Sequence, residues 1–159
     1  WTVTHPKGET LTITIELIRS DSSWALGVDP GLQKDGVEAH LQVLLAERPE
    51  AIEEGMRLIR REHLTDIGPV DLLCQAADGT TVAVEIKRIA TIDAVEQLSR
   101  YLERIRTLPG MAACRGILAG QKVVKQARTL AESRGLGWVE VDLASLRGEK
   151  EPELTLFDG

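Results

Sequence analysis

Two carboxylates and a lysine stand at a spacing that suits phosphodiester hydrolysis. Asp71 lies in the apolar segment VDLLCQ, and Glu85 and Lys87 lie two residues apart in TVAVEIKR. Because successive side chains of a strand point to opposite faces, Glu85 and Lys87 share one face. Carboxylate oxygens are preferred ligands of Mg²⁺, and a neighbouring ammonium can position or activate the attacking water. The pattern predicts a metal-dependent nuclease site, with a solvated Glu-x-Lys pair at a strand edge as the alternative.

A hairpin is needed to bring these residues together. Residues 70–75 and 81–88 have the composition of strands, and ADGT at 77–80 is typical of a tight Asp-Gly turn. The turn places Asp71 near the other two residues of the pattern. The intervening apolar residues are expected to face the core; they are Val82, Val84 and Ile86.

Further polar side chains flank this hairpin in the sequence. Gln97 and Tyr101 are spaced i and i+4 and so share one helical face, which could look toward a bound phosphate or toward solvent. Glu38 follows Asp35 at capping-box spacing, so it could satisfy a helix N-terminus or join a metal site. Both interpretations of each residue remain open at this point.

Apolar periodicity predicts an α/β alternation around the hairpin. A helix runs from Asp35 until Pro49 ends it, and a longer helix begins after Thr91 as N-cap and stops before Pro109-Gly110. The remaining elements are a strand at 56–61, a strand at 115–120, a helix at 122–134 closed by Gly135 and a strand at 138–143. The order α, β, β, β, α, β, α, β predicts a mixed central sheet flanked by helices.

The chain divides into four predicted segments. Residues 10–19 alternate Thr with apolar residues as a strand does, and residues 1–28 are interpreted as the remnant of an N-terminal β domain. Pro and Gly mark a linker at 29–36, the α/β domain occupies 37–148, and 149–159 form a flexible acidic tail. The sequence is therefore expected to be the C-terminal piece of a longer protein.

Composition excludes several classes of function. Of the residues, 43% are hydrophobic and 28% are charged, and no apolar run approaches the length of a membrane span. Cys74 and Cys114 stand apart without CxxC spacing, which predicts buried thiols in a reducing cytoplasm rather than disulfides or zinc. The net charge of −6 argues against non-specific nucleic-acid binding. Basic residues nevertheless cluster in the middle of the chain, so a local basic surface is compatible with this average.

Separate segments carry a family resemblance in a fixed order along the chain. They are KDGVEAHLQ (34–42), IGPVDLLC (67–74), VAVEIKR (82–88), DAVEQLSRYL (93–102) and QARTLAESRG (126–135). Together they resemble the C-terminal RecB-like nuclease domain of the NucS/EndoMS mismatch-specific DNA endonucleases. Family members cut both strands of duplex DNA at mismatched base pairs with Mg²⁺ or Mn²⁺. The resemblance implies a restriction-endonuclease/RecB-like fold and a role in mismatch repair.

The resemblance also implies roles for individual residues. Glu38, Asp71 and Glu85 would form the acidic site for Mg²⁺, in which Mn²⁺ could substitute, and Ile86 would lend its backbone carbonyl. The remaining implied catalytic residues are Lys87, which would handle the water, with Gln97 and Tyr101 completing the site. The family's N-terminal domain binds DNA and mediates dimerisation, so the resemblance implies a homodimer for the full-length protein. In this sequence only residues 1–28 correspond to that domain.

The C-terminal tail carries a separate signal. After Gly148 the sequence EKEPELTLFDG is polar except for Leu154, Leu156 and Phe157. Apolar anchors in a polar tail suggest a docking peptide, and Glu-Leu-Thr-Leu-Phe resembles the pentapeptide by which bacterial repair proteins bind the replication sliding clamp. A terminal strand that packs on the domain's own core is the alternative.

The leading hypothesis is thus a Mg²⁺-dependent endonuclease acting on mismatched double-stranded DNA. Two alternatives remain: a restriction-like nuclease acting on branched or single-stranded DNA, and a non-catalytic DNA-binding or clamp-docking module.

Overall fold

A mixed β-sheet forms the centre of the protein, seen in a computed structural model that describes residues 2–4, 10–12 and 36–148. Its strands are β3 (Arg57–Thr65), β4 (Gly68–Gln75), β5 (Thr81–Ala90), β6 (Arg115–Val123) and β7 (Gly137–Glu140). The helices are α1 (Gly36–Glu47), α2 (Ile92–Ile105), α3 (Lys125–Ser133) and α4 (Leu143–Arg147), with a 3-10 turn at Pro49–Ala51. A separate antiparallel pair joins β1 (Thr2–Thr4) and β2 (Thr10–Thr12).

The five strands lie in the sheet in sequence order. β3, β4 and β5 are antiparallel, whereas β5, β6 and β7 are parallel and are connected through α2 and α3. This confirms the predicted α/β class and the predicted order of elements from α1 to β7.

Helices cover both faces of the sheet because the inner strands are apolar on both faces. Val95 and Leu98 of α2, with Ala127 of α3, belong to the core on one face. Leu41 and Leu45 of α1 pack on the other face against the alternate residues of β5, and Leu146 of α4 joins that core. Val82, Val84 and Ile86 lie in this second core, as their alternation predicted.

The boundary between β6 and α3 differs from the prediction. The strand continues to Val123, and the helix begins at Lys125 instead of residue 122. Val124 has an extended backbone with ψ of 150°, which suits a β-branched residue before a helix. Gly120 lies just before this extension, and an added Cβ there would come 2.7 Å from the Lys87 carbonyl oxygen. The absence of a side chain there allows β6 to approach the strand that carries Glu85 and Lys87.

The predictions for the N-terminal segment, the linker and the C-terminal tail fall mostly outside the described residues. Thr10–Thr12 form part of the strand expected at 10–19, and the rest of that segment lies outside the described residues. So do most of the predicted linker and the whole tail at 149–159. Within the described ranges, no helix has both the length and the hydropathy needed to cross a membrane.

Candidate active site

The two strands of the central hairpin separate at Asp71. Backbone pairing runs from Gln75 and Thr81 at the turn to Leu72 and Val84. Beyond this pair the buried Asp71 carboxylate takes the place of a backbone acceptor, because its Oδ2 accepts the Ile86 N–H at 2.7 Å. An unsatisfied buried amide would be costly, so this side chain stabilises the point where the strands part.

The neighbouring strand is irregular at the same level. Val70 and Leu72 of β4 pack in cores on opposite faces although they lie two residues apart, so the strand's alternation is interrupted at Asp71. Glu62 of β3 lies between the residues that pair with Val70 and Leu72, and its φ of 49° is the only positive value among the described non-glycine residues. The sheet therefore changes its local geometry where the candidate catalytic carboxylate projects.

Helix α1 supplies two polar side chains one turn apart. Gln42 donates from Nε2 to the backbone carbonyl oxygen of Asp71 at 3.1 Å. Glu38 accepts the Arg88 N–H at 3.3 Å through Oε2. Glu38 thus reaches β5 with its side chain. Asp35, the other residue of the predicted capping box, lies outside the described residues.

Lys87 connects the carboxylates of the site. Its Nζ lies 3.2 Å from Glu85 Oε1 and 3.5 Å from Glu38 Oε1. Burial by itself lowers the pKa of Lys87, but the carboxylates of Glu85 and Glu38 outweigh burial and raise that pKa above its ordinary value. Lys87 is therefore an ammonium ion at neutral pH in this arrangement.

Negative charge exceeds positive charge inside the site. Glu38, Asp71 and Glu85 are all buried, and the Lys87 ammonium lies among them. Burial raises the pKa of Glu38, and the Asp71 carboxylate adds to that rise, while Lys87 and the Arg88 N–H oppose it. Counted as ionised, three carboxylates and one ammonium carry two formal negative charges, and buried charge of this kind needs a compensating partner.

Gln97 and Tyr101 lie together beside this cluster on α2. Gln97 donates from Nε2 to the Tyr101 hydroxyl at 3.1 Å. Burial raises the pKa of Tyr101 despite that hydrogen bond, and the charges of Glu85 and Asp71 contribute to the rise. Both side chains line a depression of about 330 Å³ together with Ile67 and Arg100. The predicted shared face therefore points to the site side of the helix.

The chemistry of these donors fits a hard divalent cation, because carboxylate oxygens are the ligands that Mg²⁺ prefers. Within residues 36–148, however, no three side chains among His, Cys, Asp and Glu are gathered in a metal-binding group. Lys87 instead bridges two of the carboxylates. The Ile86 side chain is fully buried and its N–H is donated to Asp71, while the metal role of its carbonyl stays a prediction.

Two residues of the site were not predicted from the sequence. Gln42 lies one helical turn after Glu38, and that spacing was the available signal. Gly68, with φ of 134°, lies under Tyr101, where an added Cβ would be 3.0 Å from the Tyr101 hydroxyl. The tail residues Leu154, Leu156 and Phe157 lie outside the described residues.

Comparison with known proteins gives matches that include all of these site residues. A family model described as the endonuclease NucS C-terminal domain matches residues 37–157. The endonuclease NucS of Frankia alni is 60% identical over 158 residues, covering 99% of this chain and 72% of that protein. The endonuclease NucS of Streptomyces coelicolor is 57% identical over 157 residues, covering 99% of this chain and 70% of that protein.

Solved structures resemble the same region. A repair endonuclease from Pyrococcus abyssi aligns with a TM-score of 0.61 and 32% identity over 69% of this chain and 49% of its own. EndoMS in complex with double-stranded DNA aligns with a TM-score of 0.62 and 34% identity over 70% of this chain and 46% of its own. This chain thus spans about half the length of those solved chains. The match confirms the predicted architecture of a mixed sheet flanked by helices.

Proposed function

The chain belongs to the endonuclease NucS family, and on that premise we propose that it is the catalytic part of a Mg²⁺-dependent endonuclease that cuts double-stranded DNA at mismatched base pairs. The observation that carries this proposal is the cluster of three buried carboxylates, Glu38, Asp71 and Glu85, with the half-buried Lys87 where β4 and β5 separate. Such a cluster has the donors that metal-assisted phosphodiester hydrolysis needs.

In the proposed site Glu38, Asp71 and Glu85 would hold the cation, and the backbone carbonyl of Ile86 would be a further ligand. When bound there, Mg²⁺, or Mn²⁺ in its place, would supply Lewis-acid stabilisation of the scissile phosphate and would lower the pKa of the attacking water. The excess of two negative charges in the cluster supports this assignment.

Lys87 acts in this proposal through its charge. Because the neighbouring carboxylates raise its pKa, the side chain remains an ammonium ion and donates hydrogen bonds instead of abstracting a proton. It can orient the attacking water and stabilise negative charge that develops on the phosphate. The raised pKa keeps Tyr101 a neutral phenol, whose hydroxyl, held by Gln97, can orient a phosphate oxygen.

The proposed test is cleavage of a labelled duplex that carries one G·T mismatch, with Mg²⁺ or Mn²⁺ against EDTA. Glu85→Gln removes a buried carboxylate charge at nearly constant volume and should abolish cutting. The matched control is Glu132→Gln, because Glu132 is exposed and its hydrogen bond from Trp138 Nε1 can be kept by an amide oxygen. Cutting by Glu85→Gln as fast as by the wild type would contradict the proposed site.

Substrate specificity is tested by the other arms of the same experiment. Faster cutting of the mismatched duplex than of the matched duplex supports action in mismatch repair. Equal cutting of both would retain the nuclease and remove mismatch specificity, and preferential cutting of branched or single-stranded DNA would support the other restriction-like activity. Binding without cutting by the full-length protein would support a non-catalytic module.

We further propose that the tail docks on the replication sliding clamp through Leu154, Leu156 and Phe157, and that the full-length protein is a homodimer. A labelled peptide of residues 149–159 should bind purified clamp, and the same peptide with Phe157→Ala should bind much more weakly. Equal binding of the two peptides would contradict the docking role of Phe157.

A further inference from the structure

Three arginines on β3 form no ion pair within the described residues, whereas four other arginines of the protein do. Arg104, Arg115, Arg128 and Arg134 each form an ion pair with a carboxylate, the last with Glu96 at 2.6 Å. Arg57, Arg60 and Arg61 are exposed and form no ion pair within the described residues. Their positive charge is therefore available to a partner in a protein whose net charge is −6.

The strand that carries them is open to solvent. β3 is an edge strand of the five-stranded sheet, with β4 on its inner side. Neighbouring residues on a strand point to opposite faces. Arg60 and Arg61 are nevertheless both exposed, so β3 is open to solvent on both of its faces at these residues. Both long side chains can therefore reach a partner that lies along this edge.

The position of β3 relates this edge to the candidate active site. Arg61 pairs with Leu72, the residue that follows Asp71. Adjacent strands lie about 4.8 Å apart, so the arginine edge runs beside the strand that carries the catalytic carboxylate. One carboxylate on β3, that of the exposed Glu62, offsets part of the charge, whereas Asp66 next to the strand pairs with Arg104 of α2. A local excess of positive charge remains.

We propose that Arg57, Arg60 and Arg61 form a phosphate-contact surface that binds the sugar-phosphate backbone of duplex DNA next to the cleavage site. This inference rests on the proposed function, because it assigns the substrate backbone a position relative to Asp71. Guanidinium groups pair with phosphate oxygens in bidentate geometry, and such contacts position DNA without reading its sequence. The edge strand thus supplies positive charge beside a site that is itself negative.

The test measures how DNA affinity depends on salt. A fluorescent 20-base-pair duplex is titrated with the full chain in EDTA at several salt concentrations, for the wild type and the double variant Arg60→Gln/Arg61→Gln. Each lost phosphate contact should lower the slope of log K against log salt by about 0.9, so the double variant should lose about 1.8. Between 50 and 200 mM salt, its affinity should then fall about twelvefold less than that of the wild type.

Two matched variants separate phosphate contact from other roles of the arginines. Arg115→Gln/Arg134→Gln removes the same charge at ion-paired positions and should leave the slope unchanged. Arg60→Lys/Arg61→Lys keeps the charge and should retain the slope. Equal slopes for the wild type and Arg60→Gln/Arg61→Gln, equal losses in both Gln pairs, or no DNA binding by the wild type would each overturn the proposal.

Charged edge strands also prevent edge-to-edge association, so the oligomeric state of each variant is measured by size-exclusion chromatography. A dimeric Arg60→Gln/Arg61→Gln variant with an unchanged slope would assign these arginines to that protective role and overturn the proposal. Because binding is measured in EDTA, the outcome is independent of catalysis. A reduced slope in a chain that cuts no DNA would support the surface while the proposed nuclease activity fails.

Discussion

The two ends of the β4–β5 hairpin are stabilised in different ways. At the turn, Ala76 N–H donates to Thr80 O and Gly79 N–H to Ala76 O, both at 2.9 Å, and Asp78 accepts the Thr80 N–H at 2.8 Å. At the other end, the Ile86 N–H is satisfied by Asp71 Oδ2, and the Asp71 carbonyl accepts from Gln42 on a distant helix. The turn is held by local contacts, and the site by contacts between elements.

This difference shows that the candidate catalytic groups also perform structural work. The Asp71 carboxylate satisfies a buried backbone amide and contributes one of the negative charges of the site. A hydrogen-bond acceptor is enough for the first role, whereas the second requires an ionised oxygen. Substitutions that preserve one property and remove the other should therefore separate stability from activity at the site end, and affect stability alone at the turn.

The largest effect is expected for Asp71. Asp71→Asn keeps an oxygen that can accept the Ile86 N–H, so its free energy of unfolding should stay above that of Asp71→Ala by about 1–3 kcal/mol. Cleavage should fall more than about 100-fold in both variants because both remove a carboxylate charge from the proposed metal site. Denaturant unfolding and the metal-dependent cleavage assay measure the two properties. Equal stability of both variants would show that the bond to Ile86 contributes little.

A smaller effect on activity is expected for Gln42. Gln42→Met removes the hydrogen bond to the Asp71 carbonyl at similar volume, and loss of such an orienting contact typically lowers metal affinity or activity about 10–100-fold. The matched control at the turn end is Gln75→Met, which removes the 3.3 Å bond from Gln75 Nε2 to the Gly79 carbonyl. Cleavage should stay unchanged in that control. Equal loss in both variants would mean that Gln42 acts through overall stability only.

At the turn, Gly79→Ala should change stability without changing cleavage. Gly79 has φ of 87°, a conformation that costs a residue with a Cβ about 1 kcal/mol, and no atom lies close enough to obstruct the added methyl group. Gly36→Ala serves as the control, because Gly36 begins α1 and also has open space around it but has no positive φ. Thermal unfolding checks the stability, and reduced cleavage in Gly79→Ala would contradict the independence of the two ends.

The same difference explains what the sequence could predict. The turn at 77–80, the shared face of Glu85 and Lys87 and the α/β order follow from short-range patterns, and the structure confirms them. The spacing of Gln42 from Glu38 indicates only a shared helical face; the bond from Gln42 to Asp71 joins residues 29 positions apart, so no local pattern indicates that partner. The exposure of Arg60 and Arg61 depends on β3 being at the edge of the sheet, which is a property of strand order.

The smallest effect is expected for chemical modification of the Cys74 thiol in the native protein. Cys74 lies on β4 opposite Val82 near the turn. Burial raises the pKa of Cys74 to about 11, so at pH 8 only about one thiol in a thousand is the reactive thiolate. The side chain is also fully buried, so iodoacetamide should modify it only after unfolding. Peptide mass spectrometry of native protein and of protein in urea measures this difference. Asp71→Asn should keep this protection, because it alters only the far end of the hairpin. Rapid modification of native Cys74 would show that the turn end opens by itself, and the local contacts there would then be weaker than the long-range contacts that hold the site.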